Sequence, residues 1–228
     1  MKAPGIGRSA AAFFAALALT ACAGGRKPQV ETTPAPDAGS TAELEAIYRA
    51  RTDSARMRFT EADVRFMTGM IGHHGQALVM TAMAATHGAS ASIRTLAARI
   101  TNAQKDEIAT MQRWLRDRGQ PVPELHITGT TLMVDGQHAT HMPGMLTPEQ
   151  IHKLDAARGP EFDRLFLTYM VQHHQGAVTM VHELFATDGA AQDEAAFKLA
   201  SDIQVDQATE IARMKSMLES LSAIDSGL

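Results

Sequence analysis

The stretch FMTGMIGHHGQALVM at residues 66–80 returns as FLTYMVQHHQGAVTM at residues 166–180. Asp63, Phe66, Met70, His73, His74, Ala77 and Met80 match Asp163, Phe166, Met170, His173, His174, Ala177 and Met180 at an offset of 100. Downstream, Leu96, Ile100, Gln104, Glu107, Ile108, Met111 and Leu115 match Leu199, Ile203, Gln207, Glu210, Ile211, Met214 and Leu218 at an offset of 103, which puts three extra residues in the second inter-helix turn. A duplicated pair of helices has no way to bury its apolar faces alone, so the two copies must pack on each other. The expected fold is all-α, a four-helix bundle of two hairpins, antiparallel within each pair because the turns are short.

Local signals bound the helices. Thr60-Glu61-Ala62-Asp63 has capping-box spacing with Asp as the final acid, and the helix it opens is expected to run to about His87 and stop at Gly88. A second helix is predicted from Ser90 to Arg118, a fourth long one from Pro160, and a last one from Gln192 to Leu221. A polar stretch at 42–58 suggests an accessory helix. The duplicated domain thus spans 60–221: a hairpin at 60–119, a connection at 120–158 and a hairpin at 159–221. The connection is too long and too broken by Gly and Pro for a simple turn. Thr147-Pro148-Glu149-Gln150 predicts a short helix within it.

The histidine pairs sit on the apolar face. Projected from Met70 at about 100° per residue, His73 falls near −60°, His74 near +40°, Ala77 near −20° and Met80 near −80°, so sulfur and imidazole share one side. Met70 and His74 are about 6 Å apart along the axis and can chelate locally, whereas His73 and Met80 are about 10.5 Å apart and belong to different layers. The following helix carries Gln104, Glu107, Ile108 and Met111 on one stripe, and the second copy repeats it with Gln207, Glu210 and Met214. A carboxylate on such a stripe needs an imidazole or a cation as partner. One ring of each pair is therefore free to ligate while the other hydrogen-bonds to Glu107 or Glu210.

A separate candidate lies in the connection, where HATHMPGM places His138, His141, Met142 and Met145 within eight residues, with Met133 nearby. Thioether and imidazole without thiolate favour Cu(I), or Ag(I) as its mimic; Cu(II) or zinc would prefer imidazole and carboxylate. Taken alone, each methionine at helical spacing is ordinary core filler, and His87 before Gly88 is explained by a helix C-terminus.

Thiolate is absent for a reason visible at the N-terminus. Lys2 and Arg8 precede AAFFAALAL, too short for a mature membrane span, and Leu19-Thr20-Ala21-Cys22 resembles a bacterial lipobox. Cys22 is the only cysteine, and lipidation would occupy it. Residues 1–21 then form a lipoprotein signal peptide and 22–41 a flexible tether rich in Pro, Gly, Ala and Thr. Ala23 in place of Asp after the lipidated cysteine favours the outer membrane, facing the periplasm. The net charge of −4 and the lack of a Lys/Arg cluster exclude nucleic acid as a partner. Oligomeric state is not written in the sequence.

The M-I-x-H-H-x-x-A-x-x-M and M-V-x-H-H-x-x-A-x-x-M stretches, the Q-x-x-E-I-x-x-M helices and HMPGMLTPEQ resemble the bacterial family known as domain of unknown function 305, over about residues 60–220. The resemblance implies a ferritin-like helical fold, export, and in some members copper binding and tolerance. By position it points to Met70, His73, His74, Met80, Met170, His173, His174 and Met180. The copies differ at Gly75-Gln76 against Gln175-Gly176, so the two sites need not be equivalent.

The expected function is copper sequestration or transfer to copper-handling envelope proteins, with zinc and iron as weaker candidates. The competing readings are a metal-dependent oxidoreductase, a haem protein and a metal-free structural lipoprotein. Di-iron chemistry needs Glu-x-x-His on two core helices, and that spacing occurs only at Glu149 and His152. Haem could bind only non-covalently, for lack of Cys-x-x-Cys-His.

Overall fold

The computed structural model describes residues 41–56, 58–139 and 142–225. Cys22, the signal segment, the tether before Thr41 and His141 lie outside the described residues. Within them are six helices, α1 (Thr41–Arg56), α2 (Glu61–Met83), α3 (Ala91–Asp117), α4 (Pro148–Ala156), α5 (Gly159–Phe185) and α6 (Glu194–Asp225). Three short strands, β1 (Leu125–Thr128), β2 (Thr131–Val134) and β3 (Gln137–His138), form an antiparallel meander between α3 and α4. The chain is thus mostly helical with a small sheet, and the sheet departs from the all-α expectation.

The strands have a local cause. Asp135 and Gly136 both take positive φ between β2 and β3, the conformation a tight two-residue hairpin turn requires. Asp-Gly between TLMV and QH is its sequence signal. Leu125 pairs with Val134 and Thr128 with Thr131, while Met133 stands opposite His138.

Hydrogen bonds between helices fix their directions. Thr101 donates to Thr81 at 2.8 Å and His74 meets Glu107 at 2.7 Å, so residue numbers fall on α2 as they rise on α3. His174 with Glu210 and His182 with Gln204 give α5 and α6 the same antiparallel relation. The two hairpins then pack along α2 and α5.

Aspartates at the starts of these two helices fasten that packing. Asp63 closes the expected capping box, accepting from the Thr60 backbone N–H at 2.7 Å, and its second oxygen accepts from the Ala191 N–H at 2.7 Å. Its repeat mate Asp163 accepts from the Ser90 N–H at 3.1 Å. Each copy therefore anchors the turn of the other, which makes α2 and α5 antiparallel as well. Both carboxylates are buried, so each unmade bond would be costly.

Several boundaries differ from expectation. Helix α2 ends at Met83, not near His87, and a run of turns leads to Gly88 at φ 70°. His87 is buried, with Nε2 on the Asp155 backbone oxygen at 2.9 Å, Nδ1 on the Thr86 hydroxyl at 2.9 Å and its ring against Phe162. It ties the end of α4 to the α2–α3 turn, and does more than sit at a helix end. Part of the three-residue insertion prolongs α5, which runs to Phe185, past the mate of Met83.

The connection docks on α2 and α5 and explains why the copies differ beside their histidines. Gln76 grips Leu146, accepting from its N–H at 2.7 Å and donating to its carbonyl at 3.0 Å. Gly75 lies under Leu132 and Leu125 of the meander. On α5 the Pro143-Gly144 backbone rests on Gly176: a Cβ there would lie 1.9 Å from the Pro143 oxygen. Gly176→Ala should therefore force the connection off α5 and cost about 2–4 kcal/mol. Gly75→Ala meets only leucine methyls at 3.1–3.3 Å and should cost less. Urea unfolding of the two variants checks the order; equal losses would refute it.

Candidate metal centre

Where α2 crosses α5, four imidazoles form a row. Ring centroids lie 6.3 Å apart from His74 to His73, 3.9 Å from His73 to His173, and 6.2 Å from His173 to His174. All four side chains are buried. The row is the repeat unit MIGHH meeting its copy head-on at an antiparallel crossing.

Each ring uses the same nitrogen for the protein. His73 Nε2–H donates to the Pro143 carbonyl at 3.0 Å, and His173 Nε2–H donates to the His73 carbonyl at 3.0 Å. His74 Nε2 meets Glu107 at 2.7 Å, and His174 Nε2 meets Glu210 at 2.6 Å. Carbonyl and carboxylate oxygens only accept, so the acceptor assigns the proton to Nε2 in all four rings. All four Nδ1 atoms are then left buried without a protein partner. A nitrogen lone pair in that position is the ligand form of histidine, and a carboxylate on the opposite nitrogen orients the ring and raises its basicity.

The methionines fall into two groups. Met70, Met111 and Met180 share one buried cluster with Met67, while Met80, Met170 and Met214 share the other. Because the helices are antiparallel, Met70 of one copy groups with Met180 of the other, and Met80 with Met170. Met142 joins the first group only: its Sδ lies 3.1 Å and the Met180 methyl 3.5 Å from the position a Cβ on Gly69 would take. The two methionine groups are consequently not equivalent.

The remaining candidates go elsewhere. His138 is exposed on β3 and, with buried Met145, lines a cavity of about 480 Å³ shared with Gln76, Leu132 and the α4 residue His152. The connection candidates therefore do not gather in one place: Met142 turns to the Met70–Met180 group, His138 and Met145 to this cavity. Gln104 and Gln207 are buried with their Oε1 atoms unpartnered, one turn from Glu107 and Glu210. Pro143, Gln76 and Gly176 complete the surroundings of the row and were not singled out as site residues from the sequence. For Gln76 and Gly176 the signal was the Gly-Gln against Gln-Gly difference.

Among the described residues, no three His, Cys, Asp or Glu side chains stand close enough together to hold an ion. Thioether sulfur of the buried methionines is the other soft donor that these helices carry. The donor set is imidazole and thioether, which suits a soft monovalent ion such as Cu(I) better than magnesium or calcium.

Burial, then the neighbouring His74, lowers the His73 pKa from 6.5 to about 3. Burial, then His73, holds His173 well below its ordinary value. Both rings are neutral at pH 7. In the metal-free protein, the unfolded chain binds a proton at His73 between pH 6.5 and about 3 that the native state does not, so stability falls as pH falls through that window. The contribution is about 1.4 kcal/mol per pH unit for one such group. Urea unfolding at pH 7, 5 and 4 should give a shallower pH dependence for His73→Gln than for the parent. Identical slopes would refute the assignment.

Known proteins place this geometry in context. A family model described as domain of unknown function (DUF305) matches residues 63–218. A DUF305 fragment from Deinococcus radiodurans is 28% identical, with a TM-score of 0.59 over 71% of this chain and 98% of its own. A DUF305 protein from Streptomyces coelicolor is 25% identical, with a TM-score of 0.59 over 71% and 92%. CopM in its Cu(I)-bound form is 28% identical, with a TM-score of 0.52 over 69% and 96%, and CopM is also known in Cu(II)-bound and Ag-bound forms. No curated protein matches the chain.

Proposed function

Because this chain belongs to the DUF305 family, we propose that it is an exported, lipid-anchored copper-binding protein that sequesters copper or passes it to other envelope proteins. One observation carries the reading: four buried imidazole Nδ1 atoms have no protein partner, in a bundle whose core also buries two groups of thioethers. The copper- and silver-bound forms of CopM add to it. In this reading the helices α2, α3, α5 and α6 make a ferritin-like bundle whose interior serves as the store. Cys22 carries the lipid, residues 23–40 the tether, and the folded part faces the periplasm. Among the described residues no helix is long and apolar enough to cross a membrane.

Copper is cargo here, and the residues divide the work. Met70 and Met180, with Met142, offer sulfur in one buried group, and Met80 and Met170 in the other. His73, His74, His173 and His174 offer Nδ1, while Glu107 and Glu210 hold the outer rings by Nε2. Thioether gives affinity for Cu(I), and neutral imidazole accepts either oxidation state. Holding imidazole nitrogen ready at pH 7 is what burial of the inner rings, His73 and His173, contributes.

Anaerobic Cu(I) titration against a chromogenic chelator tests the assignment. Met70→Leu with Met180→Leu conserves volume and should leave the fold intact while weakening Cu(I) at least tenfold. His74→Gln with His174→Gln should weaken both Cu(I) and Cu(II). Unchanged stoichiometry and affinity in both pairs would sink the proposal.

A further inference from the structure

The meander between α3 and α4 carries a second set of soft donors, away from the helix crossing. Across its three strands His126 of β1 pairs with Met133 of β2, and Met133 pairs with His138 of β3. Residues directly opposite one another on adjacent strands share a face of the sheet. The register therefore lines up imidazole, thioether and imidazole side by side. The other face is turned to the helices: Leu125 and Leu132 methyls lie over Gly75 and a Val134 methyl over Gly72. Successive strand residues point to opposite faces, so Met133, between Leu132 and Val134, points away from α2. The row is open to solvent, with the His126 side chain 65% exposed, His138 exposed and Met133 half-buried.

The register that makes the row is held from both ends. Gly129 takes positive φ in the turn from β1 to β2, as Asp135 and Gly136 do in the turn from β2 to β3. Where β1 begins, the Asp135 N–H donates to the Glu124 carbonyl at 2.9 Å, and the Glu124 N–H donates to the Asp135 carboxylate at 2.8 Å. A slip of one residue would turn Met133 onto the helices and Leu132 out to water, so packing on the inner face also fixes the outer one. Neighbouring strands lie about 4.8 Å apart, which sets the two histidine Cβ atoms about 10 Å apart with the sulfur's residue midway. Half of that span is what an imidazole ring and one metal–nitrogen bond of about 2 Å can cover.

We infer that the His126–Met133–His138 row binds one Cu(I) ion, or Ag(I) as its mimic, on the outer face of the meander. Two donors are imidazole and the third is thioether, a set that selects a soft ion over magnesium or calcium. Glu124, with Oε2 3.6 Å from His126 Nε2, adds negative charge at the rim. Because β3 is the edge strand, His138 also borders the cavity that Met145 and His152 line. Residues around a cavity of about 480 Å³ need not adjoin one another, whereas strand pairing makes Met133 the direct neighbour of both histidines. The site shares no residue with the buried imidazole row and does not depend on what that row takes up.

Ag+ serves as the diamagnetic probe, followed through the imidazole NMR lines of the full chain at pH 7. His126→Gln and His138→Gln identify the two lines. A single saturable event should shift both rings together. Met133→Leu, which conserves volume, should weaken that event at least tenfold, and loss of either histidine should do the same. His152→Gln, which removes the other imidazole of the cavity, should leave it unchanged. Rings that do not respond, rings that respond at different Ag+ concentrations, equal affinity in Met133→Leu, or an equal loss in His152→Gln would each overturn the inference. His73, His74, His173 and His174 give lines of their own, so the fate of the buried copper assignment is read separately.

Discussion

At the α2–α5 crossing His173 donates its Nε2–H to the backbone carbonyl of His73, and His73 in turn donates to Pro143. A buried imidazole is tolerated only if its N–H finds an acceptor. These two bonds therefore set how closely the helices approach, how they are aligned, and where the connection must lie. With the rings 3.9 Å apart, a slip of either helix by one turn would break both bonds at once. Asp63 and Asp163 hold the same alignment from the helix ends, each reaching the turn of the opposite copy.

The outer histidines satisfy the same demand differently. Glu107 and Glu210 come from the second helix of each hairpin, so each hairpin closes around its own His–Glu pair. In all four rings the protein takes Nε2 and leaves Nδ1. One fold requirement thus leaves the four Nδ1 atoms unpartnered, and in the proposed function stability and metal affinity draw on the same side chains. Burial keeps the inner rings unprotonated at neutral pH, which preserves their lone pairs while it makes the metal-free core sensitive to acid.

The connection makes a duplicated molecule asymmetric. There is one segment between two copies, so only one copy is gripped through Gln76 and only the other has its glycine, Gly176, pressed against the Pro143 carbonyl. Met142 consequently joins the Met70–Met180 group and leaves the Met80–Met170 group without a sulfur from that residue. Two sequence-related stations become chemically distinct by position alone.

The hairpins, the capping boxes at Thr60 and Thr147 and the His–Glu pairing were legible because each rests on local period and spacing. The three-stranded meander was not read from Asp135-Gly136, since its strands are short and lie in a segment whose Gly and Pro suggested an irregular path. His87 was read by its neighbour Gly88, but its partner Asp155 is distant in sequence.

By itself the sequence determined which residues share a helix face and that the chain is built twice. The tertiary structure decided which faces meet: that Met70 groups with Met180 and not with Met170, that the inner histidines bond to backbone and the outer ones to glutamate, and that His138 and Met142 part company. The physical reason is that periodicity constrains neighbours within a few turns. The antiparallel crossing and the docking of the connection are set by bonds between residues far apart in the chain, where one buried N–H must find one carbonyl.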